Sequence, residues 1–198
     1  MQTALFTDPI EWFLAVWKRV QTTAPEGLDP ATVALATADS MGSPSTRMVL
    51  LRGVDRDGFV FYTSYRSRKA HDLETNPRAA LCGFWYWLKE QVRIEGRVAR
   101  VTADESDAYF ASRPRLSQLG AWASPQSEPI ASRAELKTRL DEIDAQFSDQ
   151  PVPRPEFWGG YRLIPDRIEF WEEGPFRLHD RFVFARGSDG WVHRRLAP

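Results

Sequence analysis

The sequence predicts an antiparallel β-barrel decorated by helices, an α+β fold built as one domain of 198 residues. Three observations carry that expectation. First, about six to eight short runs rich in apolar and β-branched residues are separated by turn signals. Second, these runs follow one another mostly in hairpin order, without the strand–helix–strand alternation of a doubly wound parallel sheet. Third, the chain is 42% hydrophobic and 27% charged with a mean hydropathy of −0.44, an ordinary globular composition that excludes collagen-like, disordered and membrane-spanning chains.

The elements follow in order. Asp8-Pro9-Ile10-Glu11 has the form of a helix start, with Asp as N-cap and Pro at the first position. Ile10, Phe13, Leu14, Trp17 and Val20 recur at helical spacing, so a helix with one apolar face is expected within a lead spanning 1–30. Strands are expected at 32–38, 45–53 and 59–64, the last two joined at Asp55-Arg56-Asp57-Gly58. Ser67 is placed to cap a short helix that stops at Asn76-Pro77. A second strand pair is expected at 79–87 and 91–101. Thr102-Ala103-Asp104-Glu105 is a capping-box pattern opening a helix through Phe110. The stretch 113–128 shows no clear period, Ser132 opens another helix to about Phe147, and Pro151 to Pro155 form a stiff connector. The C-terminal part, 154–198, holds strands near 160–163, 167–171, 181–185 and 191–194.

Charge and cysteine usage narrow the function classes. The net charge of −1 argues against a broad nucleic-acid footprint. Twenty-two of the 26 basic residues are Arg, the side chain suited to bidentate contact with phosphate and carboxylate, although a coding bias toward Arg accounts for such an excess equally well. The single cysteine, Cys82, permits no internal disulfide, and the first residues lack the pattern of a secretory signal; a cytoplasmic location is the expectation. No phosphate-binding glycine loop, dinucleotide fingerprint or serine-hydrolase elbow occurs. The three histidines are scattered, so no metal site is expected.

Three polar clusters remain. Arg47 to Arg52 is a strand with Arg at both ends. It is followed by Tyr62, Thr63 and Ser64, then by Ser67, Arg68 and Lys69 at a helix start, a combination suited to a phosphate but equally to a solvated loop. Tyr109, Arg113 and Ser117 share a four-residue step that would line one face of a helical turn, although Pro114 interrupts it. Arg177, His179 and Arg181 would point the same way from a strand, toward an anion or an electron-rich ring; alternatively, Glu172, Glu173 and Asp180 would pair with them at the surface.

Several long segments resemble the FMN-dependent pyridoxine/pyridoxamine 5′-phosphate oxidases: RMVLLR (47–52), FVFYTSYRSRKAHDLETNPRAAL (59–81), QVRIEGRV (91–98), YFASRPRLSQLGAWASPQS (109–127), RPEFWGGYRLIPDRIEFW (154–171), RLHDR (177–181) and RRLAP (194–198). The resemblance implies a split β-barrel and a homodimer with two FMN sites between the subunits, the 154–198 part serving dimerisation and active site. It implies Arg47, Arg68, Lys69, Thr63 and Ser127 around the FMN phosphate and ribityl chain. Tyr62, Gln91, Gln126, Trp171 and Arg181, with the backbone of Met48, Val49 and Leu50, would border the rest of the flavin. The substrate phosphate is expected at Arg52, Tyr109, Arg113 and Ser117, with Arg177 and His179 over the pyridine ring as the catalytic pair. The implied reaction oxidises pyridoxine or pyridoxamine 5′-phosphate to the aldehyde, with O₂ as acceptor and H₂O₂ as product. The alternatives are a flavin oxidase of the same fold acting on another heterocycle, as in the phenazine-forming relatives, or a non-catalytic flavin-binding barrel. The chain departs from the family at Arg52, usually Lys, at Glu172-Glu173, usually Gln-Gly, and in lacking an Arg-rich N-terminal lead.

Overall fold

The computed structural model describes residues 7–198, so the first residues of the predicted lead lie outside it. Asp8 caps α1 (Pro9–Thr23) by accepting a 2.8 Å bond from the Ile10 N–H, as its sequence requires. The buried face of the helix differs from the expected one. Leu14 is 41% exposed, whereas Trp12 and Val16 are buried with Ile10, Phe13 and Val20. Trp12 stacks on Phe170 at 4.1 Å and Phe13 meets Phe59 edge-on at 4.8 Å, so α1 packs onto the sheet's apolar face.

The sheet has nine strands among the described residues: β1 (Thr32–Ala38), β2 (Pro44–Leu50), β3 (Gly53–Asp55), β4 (Gly58–Ser64), β5 (Arg78–Trp85), β6 (Glu90–Arg100), β7 (Trp158–Glu172), β8 (Asp180–Gly187) and β9 (Gly190–Leu196). Every ladder is antiparallel, in the order β2-β1-β5-β6-β7-β4-β3, with β8 and β9 continuing from the far end of β7. The single strand expected at 45–53 breaks at Leu51-Arg52. There the backbone switches partners: the Leu51 N–H donates to Ala31 and the Arg52 N–H to Val60. This corner joins the two ends of the strand order, and the sheet curls into a half-barrel without a β2–β4 ladder. Its inner face carries Leu35, Leu81, Ile94, Phe59, Phe61, Leu163 and Ile168, all nearly inaccessible.

Two of the expected strands are one. Residues 160–163 and 167–171 belong to the continuous fifteen-residue β7, because Pro165 does not end the strand but sits at a bulge. Opposite it, β6 carries Gly96, where a Cβ would lie 2.0 Å from the Ile164 carbonyl oxygen; only glycine allows the two long strands to bend together here.

The helices attach at the barrel's periphery. They are α2 (Arg68–Thr75), α3 (Ala103–Ser112), α4 (Arg115–Ala123) and α5 (Arg133–Gln146). Thr102 and Glu105 form the expected capping box, and Asn76 ends α2. The aperiodic stretch 113–128 contains α4, which buries only Leu119 and Ala123 and so leaves no recognisable stripe. No helix among the described residues is long and apolar enough to cross a membrane.

Candidate active site

The first polar cluster forms at the start of α2. Lys69 is buried and donates to the Thr63 hydroxyl at 3.0 Å, while the Gln126 side-chain oxygen accepts from that hydroxyl at 2.9 Å and from the Ser64 N–H at 3.2 Å. Arg47 reaches across from β2: it donates to the Thr37 hydroxyl at 2.6 Å and to Ser45 at 2.8 Å, and lies 3.5 Å from the Asp72 carboxylate. Ser67 occupies the N-cap of α2 without a side-chain cap, so the helix presents its positive end to the same place. Burial and the neighbouring Arg47 charge push the Lys69 ammonium down to about 8. Arg68 lies on the exposed side of the same turn.

This shift has a measurable sign. Between about pH 8 and 10.5 the folded chain binds fewer protons at Lys69 than the unfolded chain does, so the ligand-free protein gains stability as pH rises through that window. The wild type should therefore gain on Lys69→Met in melting temperature between pH 7 and pH 10; a constant difference would refute the shift.

The second cluster faces the first across a cleft of about 380 Å³ lined by Met48, Val49, Leu50, Arg52, Tyr62, Thr63, Lys69, Tyr109, Arg113, Pro114, Ser117, Gln126 and Trp158. Tyr109, Arg113 and Ser117 do meet, but not on one helical face. Tyr109 lies on α3, Arg113 is that helix's C-cap, and Ser117 lies in the first turn of α4, with the chain redirected at Pro114. Tyr109 stacks on Tyr62 at 3.9 Å, and Tyr62 is stacked with Trp158 at 5.5 Å. A Cβ at Gly160 would lie 2.8 Å from the Tyr62 ring, so the glycine is what lets that ring lie flat against β7. The Arg113 guanidinium lies 4.6 Å over Trp158 and is half-buried; its Nη1 is buried without a hydrogen-bond partner among the described residues, and burial holds its pKa below the usual value. A buried guanidinium nitrogen without an acceptor costs free energy that a bound anion would offset. Trp158 lines this cleft although sequence reasoning did not single it out; nothing in its spacing distinguishes it from a core aromatic.

The third cluster is corrected in shape and stands apart. Arg177, His179 and Arg181 do not share a strand face: Pro175–Arg177 is a 3-10 turn, and β8 begins only at Asp180. Phe176 and Arg177 both take left-handed backbone, with φ of 55° and 64°, a strained arrangement outside glycine. Arg177 is exposed, with Phe176 beside it 93% exposed. The Gly174 N–H donates to Nδ1 of His179 at 3.2 Å, which leaves the proton of a neutral ring on Nε2. Trp171 lies 4.6 Å from that imidazole and pairs with Gln91 across the ladder. Arg181 donates through Nε and Nη2 to the buried Glu169 carboxylate at 2.9 and 2.7 Å, and through Nη1 to the Ala197 carbonyl at 3.0 Å. Gln91, Trp171, Arg177, His179 and Arg181 do not line the cleft. Trp171 lies at the opposite end of β7 from Gly160, the partner of Tyr62. Ser127, at φ 74°, is exposed beside Gln126.

Fold and cleft together define a class: a split antiparallel barrel with a cationic, aromatic-floored cleft at the β2 edge of its sheet. Comparison with known proteins narrows it. Residues 24–147 match the family model described as pyridoxamine 5′-phosphate oxidase, and residues 158–198 match that of the pyridoxine 5′-phosphate oxidase C-terminal dimerisation region. The pyridoxine/pyridoxamine 5′-phosphate oxidase of Anaeromyxobacter dehalogenans is 52% identical over 191 residues, 96% of each chain. That of Rubrobacter xylanophilus is 56% identical over 170 residues, 86% of this chain and 78% of the relative. Among solved structures, PhzG from Burkholderia lata 383 in complex with tetrahydrophenazine-1-carboxylic acid superposes with a TM-score of 0.91 at 28% identity, covering 98% of this chain and 94% of PhzG. The chain belongs to the pyridoxine/pyridoxamine 5′-phosphate oxidase family.

Proposed function

We propose that the protein is an FMN-dependent oxidase that converts pyridoxine or pyridoxamine 5′-phosphate to pyridoxal 5′-phosphate in a homodimer. The observation that carries the substrate class is Arg113, which lines the cleft with Arg52, Tyr109 and Ser117 and whose buried Nη1 has no hydrogen-bond partner among the described residues. A phosphate monoester supplies the acceptors that this group lacks. The cluster at α2 suits the second phosphate, that of FMN: Lys69 has donors beyond its one hydroxyl partner Thr63, with Arg47 and Arg68 as neighbouring cations, and Ser127 would join them on the bound cofactor. Met48, Val49 and Leu50 lie on β2, which pairs with β1 on one side only and leaves its other backbone edge for the polar rim of a flat ring.

Bound FMN supplies the two-electron oxidation, O₂ taking the electrons and leaving as H₂O₂. The chain's part is binding and orientation. Arg113, Tyr109, Ser117 and Arg52 anchor the substrate phosphate; Tyr62 and Gln126 close the wall. Arg177 and His179 complete the site from the other copy, His179 able to donate through Nε2 and Trp171 lying against its ring, with Gln91 and Arg181 bordering the flavin. The exposed Phe176-Arg177 turn and the match of 158–198 to a dimerisation region support that assembly.

The decisive experiment adds pyridoxamine 5′-phosphate to the purified yellow protein without air, then admits air. Bleaching of the visible flavin bands, then peroxide and aldehyde in equal amounts, is expected. Arg113→Gln should raise KM by about a hundredfold, a loss of about 3 kcal/mol for an unpaired phosphate contact, with a smaller change in kcat. No bleaching with FMN bound would overturn the substrate. The likeness to PhzG makes a phenazine precursor the second reading; turnover of a dihydrophenazine carboxylate unaffected by Arg113→Gln would favour it.

A further inference from the structure

The buried carboxylate of Asp72 stands behind the cluster at the start of α2, against Arg47. Asp72 is 6% exposed on α2, and Thr37 is 3% exposed on β1. The Thr37 hydroxyl donates to Asp72 at 2.6 Å and accepts from Arg47 Nη1 at 2.6 Å, while Arg47 Nη2 stands 3.5 Å from the same carboxylate. Ser45 accepts from that nitrogen at 2.8 Å, and the Leu35 carbonyl accepts from Nη1 at 3.3 Å. Arg47 would otherwise be a half-buried guanidinium on a flexible stem, repelled by Lys69 and Arg68. The three groups come from three elements, so β2, β1 and α2 are tied at one point.

We infer that Asp72 and Thr37 are positioning residues that hold the Arg47 guanidinium on the phosphate of the bound cofactor. The inference rests on the flavin reading above. Burial lowers the proton affinity of Arg47 and the Asp72 charge opposes that loss. The hydrogen-bonded contacts of the carboxylate run to Thr37 and, through it, to Arg47. Thr37 contributes geometry without charge: its single hydroxyl proton is committed to Asp72, which turns a lone pair toward Arg47.

The test compares FMN with riboflavin, which lacks the phosphate, by quenching of flavin fluorescence on titration with flavin-stripped protein. Thr37→Val breaks the relay without changing charge and should weaken FMN about tenfold while leaving riboflavin unchanged, with Thr37→Ser restoring it. Asp72→Asn should weaken FMN in the same selective way. Melting curves of each variant separate these losses from unfolding. Equal losses for FMN and riboflavin, unchanged FMN affinity in Thr37→Val, or tighter FMN binding in Asp72→Asn would each overturn the inference. Wild-type protein that binds neither flavin would remove the flavin reading, and this inference with it; wild-type binding with unaffected variants removes the inference alone.

Discussion

Lys69→Met is expected to come off purification colourless. The ammonium is buried, has one hydroxyl partner and stands at the positive end of α2, so its charge is available to an anion and little else. Truncating one member of a buried charge pair costs about 2–5 kcal/mol, which places the loss of FMN affinity at about thirtyfold or more. The methionine keeps the packing volume of the stem and relieves the repulsion from Arg47, so the chain should melt no lower than ligand-free wild type at pH 7. Retained yellow colour with near-wild-type affinity would show that the phosphate binds elsewhere. The measurement is the ratio of visible to ultraviolet absorbance, followed by titration with FMN.

Mixing two inactive variants should restore activity. Lys69→Met disables the cleft, and Arg177→Ala disables the C-terminal turn; on one chain these two places do not line a common cavity. If each site takes its cleft from one copy and its turn from the other, a mixed dimer contains one site with both defects and one with neither. Random reassortment after denaturation and refolding together then gives about one quarter of wild-type activity, from half the dimers carrying one intact site of two. Sites formed within single chains would leave the mixture inactive. The test is independent of the substrate's identity, since any turnover assay reports it.

How much of this was legible in the sequence depends on how local the determinants are. Asp8, the Thr102–Glu105 box and the Asp55–Gly58 hairpin act over a few residues, and all three stand where the sequence places them. Tyr109, Arg113 and Ser117 converge as their spacing suggested, but through a helix end, a cap and a new helix, because Pro114 cannot continue α3. The turn at Arg177 was hidden because alternation of side-chain type is also what a strand shows; only the left-handed backbone of Phe176 and Arg177 distinguishes them, and neither residue type announces it. Helix α4 was hidden because it fully buries only Leu119 and Ala123, too few to leave a stripe. The Asp72–Thr37–Arg47 contact could not be read at all: it spans α2, β1 and β2, and only the ladder register brings Arg47 beside Leu35 and within reach of Thr37.

The bulge in β7 sets a phase. Before it, inward residues of the strand are Tyr161 and Leu163; after it, they are Ile168 and Phe170, so the parity of the strand changes at Asp166. That one unpaired residue decides that Glu169 and Trp171 lie on the opposite sheet face, with Gln91 and Arg181, while Phe170 meets Trp12 in the core. Deleting Asp166 would act as a frameshift in space: upstream, Gly160 would still lie against Tyr62, while downstream every side chain would exchange core for surface. The half of β7 that carries Trp171 is thus addressed by counting, and the count includes a residue whose side chain takes no part in the site.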